Sequence, residues 1–213
     1  MEIITLTDKN VLSSNTYIII SGDTFSVVDP SVSFEKAKAA YPALDKKTCG
    51  YVLLTHGHAD HIRQVQSYVD AGCEVLITEQ DALLASNIEW NCTLILGEKT
   101  AYSGNYRKIV DGEVINVGDE SITVITTPGH TAGSVSYLSG SVIFTGDTLF
   151  AGGGYGRYDL VSSSFYQLRE SLEKLFVLDG DLVIYPGHGP ISTLRETKNI
   201  LQEKQKGILK WKN

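Results

Sequence analysis

The chain holds only five histidines, and each stands in a short turn directly behind an apolar run of strand length. The turns are Thr55-His56-Gly57-His58-Ala59-Asp60-His61, Thr127-Pro128-Gly129-His130-Thr131 and Tyr185-Pro186-Gly187-His188-Gly189. A fourth turn of the same form, Phe144-Thr145-Gly146-Asp147-Thr148, carries Asp in place of His. A lone histidine such as His188 is ordinarily a structural side chain. Three histidines and an aspartate packed into His56–His61 have no packing rationale, whereas imidazole and carboxylate are standard ligands of divalent metals.

Neighbouring loop residues cannot all converge on one ion. Alternation lets His56 and His58 face one ion while Asp60 and His61 face another. His130 then completes one side and His188 the other, and the two oxygens of Asp147 bridge both. Paired ions of this kind stand about 3.5–4 Å apart. The small residues Gly57 and Ala59 let the loop curl around such a site.

The strand and helix pattern is legible in most of the chain. Thr16–Ile20 and Phe25–Val28, joined by Ser21-Gly22-Asp23-Thr24, read as a hairpin. A short helix is expected from Phe34 to about Tyr41, capped by Ser33. Tyr51–Thr55 reads as a buried strand feeding the histidine cluster, followed by a helix with Ile62, Val65 and Val69 on one face, closed by Gly72. Glu74–Thr78 is a further strand, Gln80–Ala85 a helical turn or two, and Asn87–Asn105 mostly loop. Two more hairpins follow, Glu113–Val117 with Ile122–Thr126 and Val135–Leu138 with Val142–Thr145. An amphipathic helix carries Phe165, Leu168, Leu172, Leu175 and Phe176 behind a Ser162–Ser164 cap region. Leu182–Tyr185 is a last strand, and Thr193-Leu194-Arg195-Glu196 is a capping box for a final helix. Open α/β sheets place ligand sites at the carboxyl ends of strands, where these turns fall.

With 213 residues, 42% of them apolar, the chain is expected to form a single domain over 1–213 with a packed core. The 18 basic against 25 acidic residues give net −7, which argues against nucleic acid or an anionic membrane as partner. No cationic start with an apolar run opens the sequence, and no apolar stretch is long enough to span a bilayer. Cys49, Cys73 and Cys92 show no C-x-x-C spacing and read as reduced, in a cytoplasmic setting. Trp211 is read as packing on the body or on a neighbouring molecule.

The H-x-H-x-D-H run, the later Gly-His, the Gly-Asp-Thr and the Pro-Gly-His occur in that order over nearly the whole chain. This set resembles the metallo-β-lactamase superfamily. The resemblance implies an α/β fold, a four-layer αββα sandwich, with a dinuclear site at one edge. Thr127–Ser134, Phe144–Phe150, Gly152–Arg157 and Pro186–Pro190 further resemble the glyoxalase II-like (hydroxyacylglutathione hydrolase-like) branch. By that resemblance Arg157 stands where a basic residue contacts the anionic thiol carrier of the substrate. The chain ends soon after His188, without the helical C-terminal domain of glyoxalase II, and has Gly189-Pro190 in place of an aromatic contact. The expected substrate is therefore a small-molecule thioester or ester related to, rather than identical with, a glutathione thioester.

The expected activity is hydrolysis by a metal-bound hydroxide, oriented by Asp60 as catalytic residue. Zinc is the first expectation for the two divalent ions, with iron or manganese as the others. Two alternatives remain open. One resembles the persulfide dioxygenases, with one iron on His56, His130 and Asp147. The other resembles di-iron redox modules, which usually carry Glu where His58 stands here.

Overall fold

The computed structural model describes residues 1–8, 13–97 and 99–210. Trp211 lies outside them. The chain builds two six-stranded mixed sheets. The first contains β1 (Glu2–Thr7), β2 (Asn15–Ser21), β3 (Thr24–Val28), β4 (Thr48–Leu53), β5 (Glu74–Ile77) and β6 (Arg107–Lys108), in sequential order. The second contains β7 (Val114–Val117), β8 (Glu120–Thr126), β9 (Val135–Ser139), β10 (Val142–Gly146), β11 (Val183–Pro186) and β12 (Ser192–Thr193), also with sequence neighbours side by side. The helices α1 (Phe34–Ala40), α2 (Ala59–Ile62), α3 (Val65–Val69) and α4 (Glu79–Ser86) belong to the first half. The second half has α5 (Phe165–Leu175) and α6 (Leu194–Lys210).

Strand periodicity explains the layering. Alternate residues of a strand point to opposite faces. In β2, Ile18 and Ile20 join the core beneath α1, α3 and α4, while Tyr17 and Ile19 join the core between the sheets. In β10, Val142 and Phe144 face the inter-sheet core and Ile143 faces Leu168, Leu172 and Leu175 of α5. Both sheets are thus covered on both faces, which gives the αββα sandwich. Fully burying one such Ile or Leu contributes roughly 1.5–3 kcal/mol, so these three clusters dominate the stability.

Most expected elements form. Gly22, with φ +57, makes the tight turn between β2 and β3. Ser33 and Ser164 cap α1 and α5 by accepting from Lys36 N and Gln167 N. Half of the capping box forms: Thr193 Oγ1 accepts from Glu196 N at 3.2 Å, while the Glu196 carboxylate takes Ser192 Oγ instead. The helix behind the histidine cluster is broken into α2 and α3. Phe165, expected on the buried stripe, is 44% exposed.

One reading needs correction. Cys49 and Cys73, read as reduced, are joined as a disulfide, with Cα atoms 5.0 Å apart. Their separation of 24 residues hides a spatial adjacency, because β4 and β5 are parallel neighbours with Tyr51 opposite Glu74. The pairing removes the argument for a reducing compartment that rested on cysteine spacing. Cys92 is free. Among the described residues, no helix is long and apolar enough to cross a membrane.

Candidate metal centre

Strand direction brings the four turns to one edge. β8 and β10 flank the antiparallel β9 and so run the same way, and β11 is parallel to β10. The turns behind β8, β10 and β11 therefore emerge together, facing the loop that leaves β4 in the other sheet. Cross-sheet bonds hold the edges in register. Asn15 N donates to Gly187 O at 2.7 Å, Tyr17 Oη to Pro186 O at 2.6 Å, and Val135 N to Thr55 O at 2.9 Å.

The seven side chains meet in three overlapping groups, one of them His56, His61 and Asp147. His56, His58 and His130 offer nitrogens within 4.8 Å of one another, as do the ligand atoms of Asp60, His61 and His188. Asp147 lies between them: Oδ1 is 3.3 Å from His61 Nε2, and Oδ2 is 3.5 Å from His130 Nε2 and 3.6 Å from His188 Nε2. The four inner histidines are at most 3% exposed. By contrast the side chains of Asp60, Asp147 and His188 are 13%, 12% and 33% exposed, so the centre opens on their side.

The outer ring nitrogens are held by hydrogen bonds that aim lone pairs inward. His61 Nδ1 donates to Asp29 Oδ2 at 2.9 Å, and His130 Nδ1 donates to the Arg157 carbonyl at 2.8 Å. Thr55 Oγ1 donates to Asp29 Oδ2 at 2.6 Å and stands 3.1 Å from His56 Nδ1. Such outer contacts fix the tautomer of a metal-ligating histidine. Inside, His58 Nδ1 lies 3.1 Å from His56 Nε2 and 2.9 Å from His130 Nε2. Three ring nitrogens thus converge at the spacing of a shared cation's ligands.

A cation fits this donor set on a second count. His61 Nε2 and Asp147 Oδ1 are buried yet make no hydrogen bond of acceptable geometry. Buried polar atoms without partners are rare, because each costs its full desolvation penalty. Nitrogen and carboxylate oxygen suit Zn, Fe and Mn alike.

Burial and neighbouring charges act differently on His56 and His58 than on His61 and His188. Burial pushes His56 well below the ordinary imidazole range and His58 down to about 3, helped by neighbouring histidines. For His61 burial acts the same way, but Asp60, Asp147 and Asp29 outweigh it and hold the ring well above its usual value. Burial alone would raise Asp60 and Asp147; His61 and His188 hold both carboxyls low instead. His188 is raised, chiefly by Asp147 against its own burial.

Two carboxylates that pattern reading passed over support the ligand loops. Asp29 appears in the sequence as the end of a strand; it adopts φ 49 and also accepts from Thr55 N at 2.8 Å. Its signal is the shared form of strand end followed by turn. Asp81 lies in α4 and accepts from Gly57 N, Gly133 N and Thr131 Oγ1. Nothing in a helical sequence marks it out. Arg157 contributes its carbonyl to the centre, while its exposed guanidinium forks onto Asp159 at 2.9 and 3.0 Å.

Gly57 is the point where the cluster loop touches α4. A Cβ there would strike the Asp81 carbonyl and the Ala85 N, at 2.8 Å from the latter. The glycine is thus required by close approach to a helix, more than by curvature around the site.

The family model described as the Metallo-beta-lactamase superfamily matches residues 10–188. The chain is 30% identical over 204 residues to a probable metallo-hydrolase of Streptococcus pyogenes, covering 91% of this chain and 86% of that protein. It is 32% identical over 185 residues to the hydroxyacylglutathione hydrolase of Brucella anthropi, covering 85% of this chain but only 64% of that enzyme's length. Among solved structures, TTHA1623 in a di-iron-bound form superposes with a TM-score of 0.79 at 28% identity, covering 94% of this chain and 98% of that one.

Proposed function

Because the chain belongs to the metallo-beta-lactamase superfamily, we propose that it is a dinuclear metal-dependent hydrolase that opens a small-molecule thioester or ester. One observation carries this reading: seven side chains form overlapping ligand groups, with Asp147 within 3.6 Å of His61, His130 and His188. His56, His58 and His130 would hold one ion and Asp60, His61 and His188 the other, with Asp147 within reach of both. Zinc is the proposed metal. Two ions placed there supply a nucleophile at neutral pH, since divalent metals lower the pKa of bound water to about 7.

The chain's own residues then orient the reaction. Asp60 Oδ2, 3.0 Å from His188 Nε2, stands at the open side, where it would orient the hydroxide that the ions supply. It is the proposed catalytic residue. A thiolate leaving group has a free pKa of about 8.5, so departure needs no general acid. Arg157, on the rim, exchanges Asp159 for an anionic group of the substrate's carrier. That exchange is inexpensive, because an exposed ion pair is screened and weakly held.

Replacing Asp60 by Ala should abolish turnover of thioesters and esters while circular dichroism stays that of the native fold. Near-normal turnover in that variant would sink the reading. The iron oxygenase alternative needs only His56, His130 and Asp147 and leaves His58, Asp60, His61 and His188 without employment. The convergence of Asp60, His61 and His188 favours the two-ion hydrolase.

A further inference from the structure

The three-histidine group takes its ligands from two loops that belong to different sheets. His56 and His58 leave β4, whereas His130 leaves β8. Their separation must be held to a few tenths of an ångström for three nitrogens to share one ion. Among the described residues, Val135 N to Thr55 O and Tyr137 Oη to Leu54 O tie the two sheets at this edge. The first turn of α4 supplies a further connection.

Asp81 is 1% exposed and has no cationic partner among its hydrogen bonds. Oδ2 accepts from Gly57 N at 2.8 Å and from Thr131 Oγ1 at 2.7 Å, and Oδ1 accepts from Gly133 N at 2.8 Å. Gly57 sits between His56 and His58, and Thr131 follows His130. Thr78, at the start of the same helix, donates to Gly133 O at 2.8 Å, so α4 grips Gly133 by both its N–H and its carbonyl. Neither Gly57 nor Gly133 has room for a Cβ against this helix. A buried carboxylate is costly, and it persists where several donors would otherwise be orphaned. All three of its bonds go to the loops and none to a ligand side chain.

We propose that Asp81 is a positioning residue of the three-histidine metal position, joining the His56–His58 loop to the loop behind His130 and thereby setting how tightly that position holds a divalent cation. The inference rests on the two-ion reading above. It assigns Asp81 no contact with substrate and no part in the second position, whose ligands Asp60, His61 and His188 are held by other bonds.

The test is a cobalt(II) titration of metal-free protein, read by the visible absorption of the bound ion and by metal analysis after equilibrium dialysis. His130→Ala marks the signal of the three-histidine position, and His188→Ala marks the other. Asp81→Asn keeps the shape but sets an amide N–H against a loop donor. It should weaken the position that His130→Ala removes by about tenfold to a hundredfold, the usual effect of losing a partner that orients ligands. The other position should stay within about twofold of wild type on the same reasoning. Should Asp81→Asn fail to fold, Thr131→Val deletes one of the three bonds and should weaken the same position by a smaller factor. Wild-type affinity at both positions, or equal weakening of both, overturns the inference while leaving the two-ion reading intact. A wild-type chain that never fills the three-histidine position overturns both.

Discussion

Gly187 brings its loop against two side chains of the centre at once. A Cβ there would land on Asp147 Oδ1 and come within 2.7 Å of His61 Cε1, so only glycine lets the His188 loop approach Asp147. Asp29 works at the same range from the opposite side, taking His61 Nδ1, Thr55 N and Thr55 Oγ1 on its two oxygens. Asp29→Asn would face an amide N–H toward one of those donors and should weaken metal binding at the Asp60–His61–His188 position by about 10–100-fold. Equilibrium dialysis against buffered zinc measures this, and unchanged metal content would contradict it. The two carboxylate supports show where pattern reading stops. His and Asp at alternate loop positions carry a ligand signature in their residue types alone. Asp29 and Asp81 serve by accepting backbone N–H groups from residues far away in sequence, and that partnership exists only once the chain has folded.

Elements were legible where burial dictates a period or an apolar run. α5 shows a helical stripe, while β2, β4, β5 and β10 read as apolar runs because both of their faces meet a core. β6 and β12 are two residues long and exist only by pairing with β5 and β11, so no periodicity could announce them. β1 is an edge strand opened by Glu2, with only Ile3, Ile4 and Leu6 reaching the cores. The cysteine pairing belongs to the same scale: residues distant in sequence become neighbours when parallel strands align. A non-reducing digest should recover the Cys49 and Cys73 peptides joined and Cys92 alkylated alone. Replacing both paired cysteines by Ala should lower stability by about 2–4 kcal/mol in denaturant unfolding, the common range for a disulfide. Free thiol at all three cysteines in the non-reduced protein would contradict the pairing.

On the scale of the whole molecule, the sandwich is a device for aligning strand ends. The second sheet contributes three strands whose ends point the same way, and the first sheet contributes the loop behind β4. Each sheet holds part of the ligand set, so metal binding and sheet packing are coupled. The fold class was readable because the four turns occur in a fixed order along the chain. The central claim is that two ions sit in this edge and drive hydrolysis. Its most direct test is to strip the protein with chelator, reload it separately with zinc, iron or manganese, count ions per chain, and assay a panel of thioesters, esters and lactones. The account predicts two ions per chain, with thioester or ester hydrolysis lost on stripping and restored on loading. A single iron per chain with oxygen consumption on a persulfide, or hydrolysis that survives complete metal removal, would contradict it.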